Sequence, residues 1–223
     1  MRHQIPLWLK TSYLLWMVVW VAVYWSYHGP ANFLWLCDVT NFFVAAALIT
    51  ESPLLFSSQA TGVLVIQLVW MIDFSGRLII GHHLIGGTEY MFDVSQPIGL
   101  RAMSLFHLFV PILLLWAIWR LGYDRRGWKL EAGIVWLILP LSFVAASPDK
   151  NLNWLWSPFG IEQTLVSPAD YLLFSMFAYP IVLFWPTHRA LLRWTRRRGI
   201  RILPDRDSQK SLGTETDRRG KRP

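Results

Sequence analysis

Six stretches of about 16–20 mostly apolar residues run through this chain, each about the length of a helix that crosses a hydrocarbon core. They cover 11–27, 33–50, 61–80, 102–119, 132–147 and 171–187. A soluble domain could bury a good core without this excess, since 54% of the 223 residues are hydrophobic and 14 are Trp. The first stretch follows Arg2 and Lys10, as a signal sequence would. Its end, Tyr24-Trp25-Ser26-Tyr27, has no small-residue cleavage site, so it reads as a retained membrane helix. The expected fold class is therefore all-α, a polytopic membrane bundle of about six transmembrane helices. The single Cys excludes an intrachain disulfide.

The placement of charge orients the bundle. Lys and Arg gather at the N-terminus (Arg2, Lys10), after the fourth stretch (Arg120, Arg125, Arg126, Lys129) and in the tail (Arg189, Arg193, Arg196, Arg197, Arg198, Arg201). The alternate connections, 28–32, 81–100 and 148–168, hold only Lys150, with Arg101 at the boundary of the second. The positive-inside rule then puts both termini in the cytoplasm, as an even number of spans requires. Residues 1–188 form the membrane domain in this reading. Residues 189–203 form a basic juxtamembrane segment facing anionic lipid or simply stopping transfer, and 204–223 form a disordered tail. Nucleic acid is not an expected partner, because the basic tail carries no recognition motif.

Three spans carry an ionisable group at one level. At 1.5 Å per residue, Cys37 and Asp38 lie about 6–8 Å below the outer end of the second span, Asp73 roughly 10 Å below that of the third, and His107 roughly 9 Å below that of the fourth. Such groups cost on the order of 2.5–3.5 kcal/mol each in lipid and should face the bundle interior. Asn41 stands four residues after Cys37 and three after Asp38 and shares their face. Pro111 removes the N–H that would bind the His107 carbonyl, so a kink is expected there. The outer connections add Arg77, His82, His83, Glu89, Asp93 and Asn153, whereas the inner connection 51–60 looks plain. Asp73 and Arg77, four apart, fit a simple intrahelical ion pair as well as a site. His82 and His83 lack a fixed metal-ligand spacing, so neither metal nor cofactor is expected.

The chemistry these groups support is acyl transfer. A thiolate needs a base near ambient pH, and histidine supplies one. A carboxylate then orients the imidazole. Cys37, His107 and Asp38 or Asp73 provide the set, with Thr40 as an alternative nucleophile. At this depth they would reach the ester carbonyl of a membrane lipid.

The Cys-Asp pair in "LWLCDVTNF", the His in "SLFHLFVPILLLW" and the Asn-rich "DKNLNWLW" carry a resemblance. Together they resemble the superfamily that groups androgen-induced-gene type fatty-acid-ester hydrolases with transmembrane lipid acyltransferases and uncharacterised bacterial six-helix proteins. The resemblance implies a catalytic Cys37 or Thr40, His107 as base, a lipid or fatty-acid ester substrate, and a bacterial cell membrane. Two other functions remain open on the residues alone. Membrane carboxylates and histidines also serve proton-coupled carriers, and polar side chains also act as interhelical glue in scaffolds.

Overall fold

The computed structural model describes residues 5–203. The expected disordered tail, 204–223, lies outside them. The described chain folds as a membrane helix bundle of six helical spans: α1 (Leu7–His28), α2 (Leu36–Thr50), α3 (Pro53–Ile80), α4 (Ile98–Met103) with α5 (Phe106–Leu121), α6 (Gly127–Ala145), and α7 (Pro168–Ala178) with α8 (Trp185–Arg197). Five spans are long and apolar enough to cross a membrane. The 15-residue α2 is shorter, about 22 Å at the usual helical rise.

The starts of the spans differ from expectation where local chemistry extends a helix. α3 begins two turns before residue 61, because Ser52 accepts a hydrogen bond from the Leu55 N–H (3.3 Å) and Pro53 occupies the first turn. α1 begins before Lys10, so this lysine lies within the helix. Its charge is tolerated because Nζ meets the Glu51 carboxylate at 2.7 Å. The expected domain boundary after His188 falls inside α8.

Contacts at one end of the bundle bring both described ends of the chain to the same face. The Lys10–Glu51 pair joins the start of α1 to the α2–α3 connection. Ser57 near the start of α3 accepts from the Asp124 N–H at 2.8 Å. After α8 the chain returns to form a short parallel pair between β1 (Tyr123–Asp124) and β2 (Ile202–Leu203). Gly122 permits this return, since a Cβ there would stand 2.8 Å from the Arg201 carbonyl oxygen.

α3 is the centre of the fold and packs against α2, α5, α6 and α8. One apolar cluster joins α1, α2, α3, α5 and α8 around Trp20, Val44, Phe56, Phe106 and Leu114. A second joins α2 and α6 to the last span through Val39, Val135, Leu139 and Phe184. The α3–α6 crossing is close: a Cβ on Gly127 would lie 2.7 Å from the Ser57 carbonyl carbon, the small-residue approach common between membrane helices.

That crossing corrects the reading of 51–60 as plain. The first turns of α3 bury Ser57, Ser58, Gln59 and Thr61. The Glu131 carboxyl, also buried, takes hydrogen bonds from Ser58 Oγ (2.5 Å) and Gln59 Nε2 (2.9 Å). Short polar residues gave no sign of this in the sequence, because only packing showed that they face Glu131 rather than water.

The fourth span also breaks elsewhere than expected. α5 runs through Pro111. The interruption is about two turns earlier, at Ser104 and Leu105, between α4 and α5. In the last span Pro180 falls within a wide π-type turn over Tyr179–Phe184, a common response to an inserted proline or a functional bulge.

Candidate functional site

At the face opposite the β1–β2 pair, a cavity of about 410 Å³ is lined by parts of five spans and three connections. Its walls come from the ends of α1 and α2, the middle of α3, the α4–α5 break and the π-turn. Four of the expected site residues meet there: Cys37, Asp38, His107 and Asn153.

Cys37 is the second residue of α2. A helix start concentrates unpaired N–H groups and favours a developing negative charge nearby. Asp38 follows it, 3% exposed, and accepts from Asn32 Nδ2 at 2.9 Å. His107 enters from the first turn of α5. Its ring stacks on Trp70, with centroids 4.5 Å apart and planes 11° from parallel. Nδ1 donates to the Ser104 carbonyl at 2.7 Å. That bond selects the tautomer with a free lone pair on Nε2, the nitrogen able to take a proton. At the break before α5 the Ser104 carbonyl accepts both from the His107 N–H (3.2 Å) and from this ring.

Asn153 holds the site together rather than facing a substrate. Its Oδ1 accepts the Leu36 N–H (2.9 Å), and its Nδ2 donates to the Leu34 carbonyl (2.8 Å) and Ser142 Oγ (3.0 Å). It therefore caps α2 from a distant connection and ties the turn before Cys37 to α6. Asn153→Ala is expected to cost about 1–3 kcal/mol through the unsatisfied groups left behind. The check is the melting temperature in detergent. An unchanged value would show that α2 needs no such cap.

The other expected residues lie elsewhere. Thr40 is fully buried and its Oγ1 donates to the Leu36 carbonyl at 2.9 Å, within its own helix. Asn41 turns toward α1, where its Oδ1 accepts from the Tyr13 hydroxyl at 3.1 Å. Sharing a helical side with Cys37 was not enough, because the side chains on that side divide between the cavity and α1. Asp73 and Arg77 form no ion pair. Asp73 instead binds the 81–97 connection through His83 Nδ1 (2.9 Å), the N–H groups of Ile85 and Gly86 (both 2.8 Å) and Thr88 Oγ1 (2.5 Å). Arg77 donates to the Gly81 carbonyl and lies 5.6 Å from the Phe92 ring centroid. His82 is exposed. Asp73 and His83 thus act one step back, by holding the connection that brings Gly86, Gly87 and Tyr90 to the cavity.

Several cavity residues escaped the sequence reading, among them Tyr24, Trp70, Tyr90 and Ser104. The Tyr24 hydroxyl and Ser104 Oγ are 2.6 Å apart, and Trp70 Nε1 donates to the Tyr90 hydroxyl at 3.0 Å. Burial pushes the Tyr90 phenol above its ordinary range, so it remains a neutral hydrogen-bonding group. Among 14 Trp and 7 Tyr, these had no mark to separate them from the usual interfacial aromatics. Ser104, three residues before His107, was the one visible cue.

The fold and cavity define a class: a membrane helix bundle with a largely apolar cavity, carrying a few polar side chains, recessed from one face. No family model, curated protein or solved structure matches this chain.

Proposed function

We propose that the chain is a membrane acyl hydrolase or acyltransferase acting on a lipid ester, with Cys37 as nucleophile and His107 as base. One observation carries this reading: the chain's sole thiol and an imidazole with a free Nε2 line the same cavity. His107 takes the thiol proton, and the thiolate attacks the ester carbonyl carbon. The carbon–oxygen bond breaks, and the departing alkoxide takes the proton from the imidazolium. Water or a second alcohol then attacks the thioester, with His107 again accepting and returning a proton. This step releases acid or new ester and restores the thiol. Asp38 and the hydroxyls of Tyr24, Tyr90 and Ser104 are the polar groups available to orient the carbonyl. The basic face lies in the cytoplasm in this reading, so the cavity opens outward from a bacterial cell membrane.

Trapping the thioester tests this. Protein in nanodiscs, acid-quenched during turnover of a lipid ester, should gain one acyl mass on Cys37 that neutral hydroxylamine removes. An adduct that persists in Cys37→Ala, or none in the wild type, would end the proposal. A proton-coupled carrier is favoured by a different feature, the buried Asp38 carboxyl with Asn32 as its hydrogen-bond donor. Proton-driven uptake into proteoliposomes that Asp38→Asn abolishes, without any acyl adduct, would support that reading instead.

A further inference from the structure

The rim of the cavity carries a lysine and a histidine that the proposed chemistry does not use. Lys150 and His28 line the cavity together with Cys37 and His107. Lys150 is exposed and forms no salt bridge among the described residues. No salt bridge joins it to its neighbour Asp149. That carboxylate is held first by a hydrogen bond to Ser147, which lowers its pKa, with the Lys150 charge adding a weaker pull at this exposed position.

The lysine is also held in place. Asn151 adopts a left-handed conformation (φ 43°) directly after it. Its side chain accepts from the N–H groups of Trp156 and Ser157 (both 3.0 Å) and donates to the Ser157 carbonyl (2.7 Å). The Lys150 N–H donates to the Ser147 carbonyl at 3.1 Å. Backbone on both sides is thus fixed, and the ammonium swings from a defined point on the rim. His28 is anchored against the Tyr24 ring, with centroids 5.2 Å apart.

Below the rim the wall becomes apolar. α3 provides Trp70 beside His107, then Val69, Ile66 and Val65, and the π-turn provides Leu183. Val65 lies about 7 Å beyond Trp70 along the helix. The one carboxyl among the lining residues, Asp38, already has Asn32 as donor. From rim to depth the order is cation, reactive polar groups, hydrocarbon. An amphiphile with an anionic head complements that order, because a carboxylate or phosphate can form charge-assisted hydrogen bonds with an ammonium that no salt bridge already holds.

We propose that Lys150, with His28, forms a head-group subsite for a lipid-borne anion, carboxylate or phosphate, whose chain runs along Val69, Ile66 and Leu183. This rests on the reading that the cavity admits lipid.

Cys37 gives a local probe, since it is the chain's sole thiol. Its alkylation by maleimide is measured in phosphatidylcholine nanodiscs with stearate, octadecanol or inorganic phosphate added. Stearate is expected to slow alkylation roughly fivefold more than octadecanol, which has the same chain but neither charge nor ester, in the wild type, the gain of one charge-assisted contact at a half-open site. Lys150→Gln should erase the difference. Equal protection by both compounds in the wild type would overturn the subsite yet leave lipid entry standing. Protection by neither would remove lipid entry itself. Protection by inorganic phosphate alone would overturn the assignment to a lipid-borne anion. Native mass spectrometry gives a second readout independent of thiol access: several-fold less stearate should stay bound to Lys150→Gln. Equal retention by the two proteins would refute the proposal.

Discussion

His107→Ala should slow turnover of a lipid ester by about 10²–10⁴-fold, the range expected for loss of a positioned general base. The ring also packs, stacked on Trp70 and with Phe106 at 4.1 Å between centroids, so a lower rate alone would not separate catalysis from collapse of the cavity. The pH profile separates them. Without the imidazole, the thiol must lose its proton to solvent, and the residual rate should climb as pH rises through the thiol range. A variant that is slow at every pH would indicate a deformed cavity instead. A rate within threefold of the wild type would exclude His107 as the base.

Asp73→Ala should be the most destabilising single change at this end of the bundle. The carboxylate is fully buried and gathers four donors from one connection: His83, Ile85, Gly86 and Thr88. Removing it leaves two N–H groups, the imidazole and the buried Thr88 hydroxyl without this partner, and the expected loss is about 3–5 kcal/mol. Hydrogen exchange at Ile85 and Gly86 should accelerate together with a drop in melting temperature. The roof formed by Gly86, Gly87 and Tyr90 would loosen with it, so lipid affinity should fall although Asp73 is outside the cavity. Arg77→Ala, at an exposed position, is expected to change stability by less than about 1 kcal/mol. If the two variants melted alike, the 81–97 connection would be held by something other than Asp73.

The contrast between these two residues shows why the site was only partly legible. Asp73 and Arg77 stand four apart, and helical spacing alone matched them to one another. In the folded chain Gly81 ends α3 in a left-handed conformation (φ 77°), the connection folds back, and its N–H groups reach Asp73 before any guanidinium does. A carboxylate already met by two backbone N–H groups, a hydroxyl and an imidazole has no need of the guanidinium four residues on. Asn41 shows the same limit within one helix. Its spacing from Cys37 and Asp38 was read correctly as a shared side, but α1 packs on part of that side and takes Asn41 through Tyr13. Asn153 was expected on the cavity face and is found there, as the cap of a helix more than a hundred residues away in sequence.

Residue pattern alone marked the apolar helices, because each must satisfy its own backbone hydrogen bonds across the hydrocarbon and so leaves an apolar run of recognisable length; five reach spanning length and α2 is shorter. It also determined that Cys37, Asp38 and His107 come to a similar level, since depth along a helix is counted at a constant rise. Tertiary structure decided which polar side chains face a common space. That depends on the rotation of each helix about its axis and on the path of the connections, and both are set by contacts such as Ser57 against Gly127 and Asn153 against the start of α2. No periodicity within a single segment records them.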